Sequence, residues 1–270
     1  MSPTGVVLAV AEVTDSGYRV LTPCSNEEVV TAGRPIVGGT VDVVLDPGHG
    51  GNETGARGPN GLTEKEVNLD IAQRAAARLE LEGLRVLLTR SNDVRLTLAA
   101  RAAIVNALKP QAFISVHHNA EPDGPAEGPG SETYFQIEST DSRRLSGLLY
   151  EELVDHLSVF DIDWVADTDA GAKFRTSSGG GDYYGILRRT AGVSAVLSEA
   201  AFISNPPEAE LLATPEFRAA EAQAIADSVV RFTQTQDSGS GYSEPYARTS
   251  PAGPGGGTNN CEDPGLGQPG

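Results

Sequence analysis

The stretch Val41-Asp42-Val43-Val44-Leu45-Asp46-Pro47-Gly48-His49-Gly50-Gly51 joins a mostly apolar run to a glycine-rich turn. The run suits a buried strand, and the turn sets a histidine just beyond that strand's carboxyl end. The same form recurs twice. Phe113-Ile114-Ser115-Val116 leads into His117-His118-Asn119-Ala120, and Val193-Ser194-Ala195-Val196-Leu197 leads into Ser198-Glu199-Ala200. Helices separate these runs. Thr63 and Glu66 form a capping box ahead of Val67, Ile71, Ala75 and Leu79, which recur at fourfold spacing, and Gly83 closes that helix. Arg85 to Thr89 reads as the next strand, Leu96 to Leu108 as a helix stopped by Lys109-Pro110, and Ala112 to Val116 and Glu132 to Gln136 as further strands. Leu145 to Leu157 is a helix, and a last one runs from about Pro207 to Phe232. Alternating strands and helices predict an α/β fold with a mainly parallel twisted sheet flanked by helices on both faces.

Composition divides the 270 residues into three parts. Residues 1–38 hold short apolar runs at 6–10, 18–21 and 28–30, with turn residues between them, and read as a β-rich extension. Residues 39–236 form the main domain. Residues 237–270 hold 9 Gly and 5 Pro, which predicts a flexible, disordered tail. The net charge of −17 argues against a nucleic-acid partner and against an electrostatic hold on anionic lipid. No apolar run is long enough to span a bilayer, and no signal peptide is visible at the start. Cys24 and Cys261 would pair in an oxidising compartment and remain free thiols in a reducing one; their spacing excludes a CxxC motif.

In open α/β sheets, ligands bind outside the carboxyl ends of the strands. His49, His117 and Glu199 each follow an apolar run to that edge. Two neutral imidazoles, His49 and His117, with Glu64 from the first turn of the capped helix, make a three-ligand set for one catalytic Zn2+ per chain. Glu66 is the alternative carboxylate, but the capping box uses it. A zinc ion so held keeps net positive charge, which lowers the pKa of water and polarises a carbonyl. Glu199, partly desolvated at a strand end, suits a general base and acid. Each residue taken singly has a plainer reading: a histidine bonded in a turn, a tight glycine turn, a helix N-terminal acid, and a carboxylate paired with Arg188 or Arg189. Their joint occurrence carries the argument. Strand alternation points His118 away from His117, so it packs behind the ligands rather than adding a fourth. His156 reads as a surface histidine.

Asp46-Pro47-Gly48-His49-Gly50-Gly51, Glu64-Lys65, Ser115-Val116-His117-His118-Asn119-Ala120 and Glu199-Ala200-Ala201-Phe202-Ile203-Ser204-Asn205, in this order over residues 41 to 235, resemble the zinc-dependent N-acetylmuramoyl-L-alanine amidases with an α/β catalytic domain. Ala201 stands where that family commonly has glycine, and His118 where a small residue is frequent. The resemblance implies zinc on His49, Glu64 and His117, with Glu199 catalytic. It implies cleavage of the amide between the lactyl group of N-acetylmuramic acid and L-alanine. Peptidoglycan or muropeptides are then the partners, the site of action is extracytoplasmic or cell-wall associated, and a protein activator is conceivable. Arg188 and Asn119 become the expected substrate contacts. Residues 161–191, with Lys173, Arg175 and three successive glycines, read either as a long surface loop or as a mobile wall of the groove. Two other functions fit less well. One is a non-catalytic binder of cell-wall fragments, which loss of a ligand would favour and none is lost; the other is a zinc peptidase acting on a different amide.

Overall fold

A computed structural model describes residues 1–2, 5–31, 33–167, 170–244 and 256–266. The N-terminal strands β1 (Ala9–Thr14), β2 (Gly17–Leu21) and β3 (Glu27–Val30) pair antiparallel in that order. Pairing starts later than the apolar run at 6–10 suggests. Val6 and Val7 are buried, and Val7 joins the core beneath the main sheet with Val41, Val44 and Leu87.

The main unit continues with β4 (Val43–Pro47), α1 (Glu64–Leu81), β5 (Val86–Leu88), α2 (Leu98–Leu108), β6 (Ala112–Asn119), β7 (Gly124–Ala126), β8 (Glu132–Phe135) and α3 (Thr140–Leu157). It ends with β9 (Trp164–Ala166), β10 (Gly171–Lys173), α4 (Gly185–Arg189), β11 (Ala195–Phe202), α5 (Pro206–Leu212) and α6 (Pro215–Gln234). Six strands form one sheet in the order β10-β8-β11-β6-β4-β5. The neighbours β11, β6, β4 and β5 run parallel, whereas β8 lies antiparallel to β11 and carries β10 parallel beside it. One face packs on α1, α3 and α6, with Ile71, Leu79, Leu149 and Ile225 fully buried; the other packs on α2 and α4, with Val105 and Leu187. The expected α/β architecture with helices on both faces is therefore observed.

Two expectations change. The single C-terminal helix is two, because Thr214 caps α6 by accepting from the Phe217 amide at 3.3 Å and Pro215 opens its first turn. Residues 161–191 are not one surface loop. They supply β9, which pairs with β7, then β10 at the sheet edge and the short α4. Gly171-Ala172-Lys173 carries no apolar alternation, so no strand signal exists there. Of the residues expected to form a tail, 245–255 and 267–270 lie outside the described residues. Residues 237–244 and 256–266 touch the body: the Arg143 guanidinium lies 3.6 Å above the Tyr242 ring, and Cys24 and Cys261 form a disulfide.

The loop after β4 is held by two arginines. Arg101 on α2 is 4% exposed, and its Nη1 sits 2.6 Å from Asp46 Oδ1 and 2.8 Å from the Pro47 carbonyl. Arg90 donates from Nε to the Pro47 carbonyl and from Nη2 to the Gly48 carbonyl, both at 2.9 Å. Burial alone would raise the Asp46 pKa. The Arg101 charge and hydrogen bonds from Thr89, Arg101 and Ser115 outweigh it and hold the carboxyl below its usual value. Such a group stabilises the fold fully above its unfolded pKa, and the contribution is lost as pH falls through the depressed folded value. Asp46→Asn should therefore cost about 3 kcal/mol at pH 7. In urea titrations the gap to wild type should narrow below about pH 4; a gap independent of pH would show that Asp46 is not held ionised.

Candidate metal centre and active site

The strand register brings the predicted residues to one edge. Asp46 and Pro47 of β4 align with Ser115 and Val116 of β6, and His117 of β6 aligns with Glu199 of β11. His49 follows β4 with φ 61°, a left-handed conformation costing an L residue about 1–2 kcal/mol. Arg101 Nη2 donates to its carbonyl at 2.6 Å and helps hold it there. Glu64 opens α1 and is 4% exposed. Its Oε2 lies 3.0 Å from His49 Nε2 and its Oε1 3.0 Å from His117 Nδ1. The two imidazoles meet edge to face, with centroids 5.0 Å apart. One donor atom from each of His49, Glu64 and His117 lies within 4.8 Å of the others. Glycines make the room. A Cβ on Gly48 would collide with the His117 ring, and one on Gly55 with Glu64 and His49.

The electrostatics suit a cation. Burial raises the Glu64 pKa, but hydrogen bonds from His117 and His49 and the His49 charge push it well below the usual range. Burial likewise lowers His49, yet hydrogen bonds to Glu53 and Glu64 and both carboxylate charges bring it up to about 9. His117 is lowered, mainly by burial, with His49 also opposing its charge. The ionised Glu64 thus offsets one positive charge on His49, and a second positive charge on His117 is disfavoured. Two imidazole nitrogens and a carboxylate oxygen are the donor chemistry that zinc takes, so the residues fit such an ion.

Glu199 faces the same space, a cleft of about 420 Å3 that is also lined by His49, Glu64, His117, Asn119 and Tyr184. Its Oε2 is buried with no hydrogen-bond partner among the described residues. Burial, and then the negative charges of Glu64 and Glu132, raise its pKa well above the usual value. Asn119 lines the cleft and donates to Glu132 Oε2 at 2.9 Å. Arg188 is not among the lining residues. It is exposed, and its Nη1 donates to the carbonyls of Asp182 (2.5 Å) and Tyr183 (3.1 Å), bracing the turn that carries Tyr183 and Tyr184 into the cleft. Lys173 and Arg175 are buried rather than at a groove wall, with Lys173 Nζ 3.0 Å and Arg175 Nη2 3.7 Å from Glu132.

Glu66 stays in the capping box, its Oε2 accepting from the Thr63 amide at 3.4 Å and hydroxyl at 2.5 Å. His118 is buried opposite His117. Its Nδ1 lies 2.8 Å from Asn68 Oδ1 and its Nε2 3.0 Å from Glu221 Oε2. Asn68 Nδ2 donates to Glu64 Oε1 and to the Gly48 carbonyl, both at 3.3 Å. His156 is half-buried and lies 3.0 Å from Asp227 and 3.6 Å from Glu152, tying α3 to α6. Sequence reasoning missed Glu53, whose Oε1 lies 3.1 Å from His49 Nδ1, together with Asn68, Glu132 and Glu221. It also passed over Arg101, which carried a signal: a lone charge inside the apolar helix Leu98-Ala99-Ala100-Arg101-Ala102-Ala103-Ile104-Val105.

Residues 43–231 match the family described as N-acetylmuramoyl-L-alanine amidase. This places the chain among hydrolases with an α/β catalytic domain. The uncharacterised protein YqiI of Bacillus subtilis (strain 168) is 35% identical over 77% of this chain and 89% of YqiI. The N-acetylmuramoyl-L-alanine amidase LytC of the same strain is 34% identical over 73% of this chain, which spans only 36% of LytC. The structure of the N-acetylmuramoyl-L-alanine amidase AmiC2 of Nostoc punctiforme superposes with a TM-score of 0.60 at 29% identity, covering 73% of this chain and 99% of that one. The chain belongs to the N-acetylmuramoyl-L-alanine amidase family.

The Glu221–His118 pair supplies a stability test. With Asn68 Nδ2 already directed at Glu64, its Oδ1 accepts a hydrogen bond from His118 Nδ1–H, and His118 Nε2 is hydrogen-bonded to Glu221 Oε2. Glu221→Leu leaves that nitrogen buried without a partner. It should lower unfolding free energy by about 2 kcal/mol in urea titration; a loss below about 0.5 kcal/mol would mean the pair is no constraint on α6.

Proposed function

We propose that this chain is a zinc-dependent hydrolase of the amide between the lactyl group of N-acetylmuramic acid and L-alanine, with residues 39–236 as its catalytic unit. The single observation carrying the reading is the meeting of His49 Nε2, Glu64 and His117 Nδ1 in one cleft with Glu199, whose Oε2 has no hydrogen-bond partner among the described residues. A zinc ion on those three residues would supply a Lewis acid for the scissile carbonyl and lower the pKa of water. Glu199 takes the proton of the attacking water and delivers it to the leaving amine of L-alanine. A carboxyl whose pKa is raised by burial and by neighbouring carboxylates suits both transfers.

The rest of the cleft suits a muropeptide. Tyr183, Tyr184 and Asn119 line it, aromatic and amide side chains of the kind that contact sugar and peptide. Action outside the cytoplasm is consistent with the Cys24–Cys261 disulfide, because such bonds persist in oxidising compartments. Among the described residues, no helix is long and apolar enough to cross a membrane.

Purified protein should carry about one zinc per chain and release intact stem peptide from muropeptides, as read by mass analysis, with activity lost to a chelator and restored by zinc. Cleavage within the peptide would favour a peptidase instead, and full activity of metal-free protein would remove the zinc assignment. Glu199→Gln should retain zinc while turnover falls about 10²–10⁴-fold. Near-normal turnover would move the proton carrier elsewhere.

A further inference from the structure

The described part of the C-terminal segment reaches the back of the site. Cys261 is bonded to Cys24. Asp263 accepts from the Thr22 hydroxyl, the Cys24 amide and the Asn26 side-chain amide, each at 2.8 Å. Leu266 is buried. Five residues before the cystine, Gly256 lies against the mouth of α2. The Leu98 amide, one of the helix's unpaired first-turn donors, gives its hydrogen to the Gly256 carbonyl at 2.9 Å. The Gly256 amide in turn donates to Glu53 Oε1 at 3.1 Å and Oε2 at 3.3 Å. Arg95 reaches both segments: it is ion-paired with Glu53, Nε 3.2 Å from Oε2, and its Nη2 donates to the carbonyl of the next residue, Gly257, at 3.0 Å. The fit is close: Gly256 has φ 75°, and a Cβ there would press on the Leu98 side chain. Gly256 also lines the cleft itself.

Glu53 is the partner of His49 Nδ1. A carboxylate on the far nitrogen of a metal-bound imidazole fixes the ring's orientation and tautomer and raises its basicity, and loss of such a partner typically weakens metal affinity 10–100-fold. Here that carboxylate is itself held by a chain segment more than two hundred residues away, fastened by one covalent bond.

We propose that residues 256–266 form a cystine-tethered strap that positions His49 through Glu53, so that the Cys24–Cys261 disulfide sets how tightly the metal is retained. The proposal rests on the reading of His49 as a metal ligand. Glu53 and Gly256 border the cleft, but their place here is as positioning residues: both act through the orientation of one imidazole. Opening the disulfide needs a reductant. With a phosphine, the two sulfurs take up two electrons and two protons to become thiols, and the phosphine becomes its oxide with the oxygen of one water.

The test is zinc affinity of the full chain, read by competition with a chromophoric chelator, with thermal melting to report the global fold. Oxidised wild type, phosphine-reduced wild type, Cys24→Ser/Cys261→Ser, Glu53→Gln and Gly256→Val are compared. Gly256→Val displaces the strap with the cystine intact and stands in if the serine variant fails to fold. The serine variant excludes zinc capture by the freed thiols. Reduction, the serine pair, Gly256→Val and Glu53→Gln should each weaken zinc binding about tenfold or more. Reduction of Glu53→Gln should add nothing, because both changes break one chain of contacts. Equal affinity of the oxidised and reduced chains would overturn the proposal, as would losses from Glu53→Gln and reduction that multiply. Oxidised wild type that takes up no zinc would remove the metal reading itself, a result distinct from either.

Discussion

A buried carboxylate between two imidazoles governs the architecture of the site. Glu64 is withdrawn from water, where an ionised acid is costly unless it is paired and hydrogen-bonded. Its two oxygens are therefore fully engaged: Oε2 by His49 and the Ala56 amide at 2.8 Å, Oε1 by His117 and Asn68. Each of these partners makes a demand on the fold. His117 must stand in register near the end of β6, Asn68 must lie one turn along α1, and His49 must sit in a left-handed turn. The capping box between Thr63 and Glu66 fixes where α1 begins, and so places Glu64 on the first turn facing the strands. The Arg90 and Arg101 guanidinium groups then hold the carbonyls of Pro47, Gly48 and His49, which keeps the strained turn from relaxing.

Two glutamates in one cleft meet opposite fates because of what donates to them. Glu64 gathers hydrogen-bond donors and the His49 charge and is driven toward the ionised form. Glu199 has one buried oxygen with no donor among the described residues and faces the charges of Glu64 and Glu132, so its protonated form is favoured. Environments that push the pKa values of neighbouring acids apart mark a division of labour. Glu132 could have undone this by adding a third free acid. It is instead tied down by Lys173, with Arg175 nearby, on β10 and the segment after it. The buried cations of residues 161–191 thus serve the site from behind.

The strands and the donor residues were legible because each carries its own signal. An apolar run ending in a polar functional group reads directly as a strand feeding the sheet edge, and the capping box announces α1. The positive φ of His49, a bulky residue amid glycines, is by contrast a property of the folded backbone alone. What escaped is of two kinds. β10 is three residues, Gly171-Ala172-Lys173, whose strand character comes only from pairing with β8. Glu53, Asn68 and Glu221 act through partners distant in sequence: Gly256 lies 203 residues from Glu53, and Glu221 103 residues from His118. No local periodicity encodes such a pairing.

The glycine and proline content of the C-terminal segment is a statement about packing. It signals the lack of a core-forming face, which is correct, but attachment does not require one. The strap at 256–266 is held by main-chain amides and carbonyls, by one aspartate and by a disulfide, and glycine is what lets its backbone approach Glu53 and Leu98 so closely. The two imidazoles of the site therefore stand on different foundations. His117 is fixed by the register of β6 with β4 and β11. His49 depends on a carboxylate whose own partners lie partly on a segment outside the sheet, so the site is rigid on the β6 side and adjustable on the β4 side.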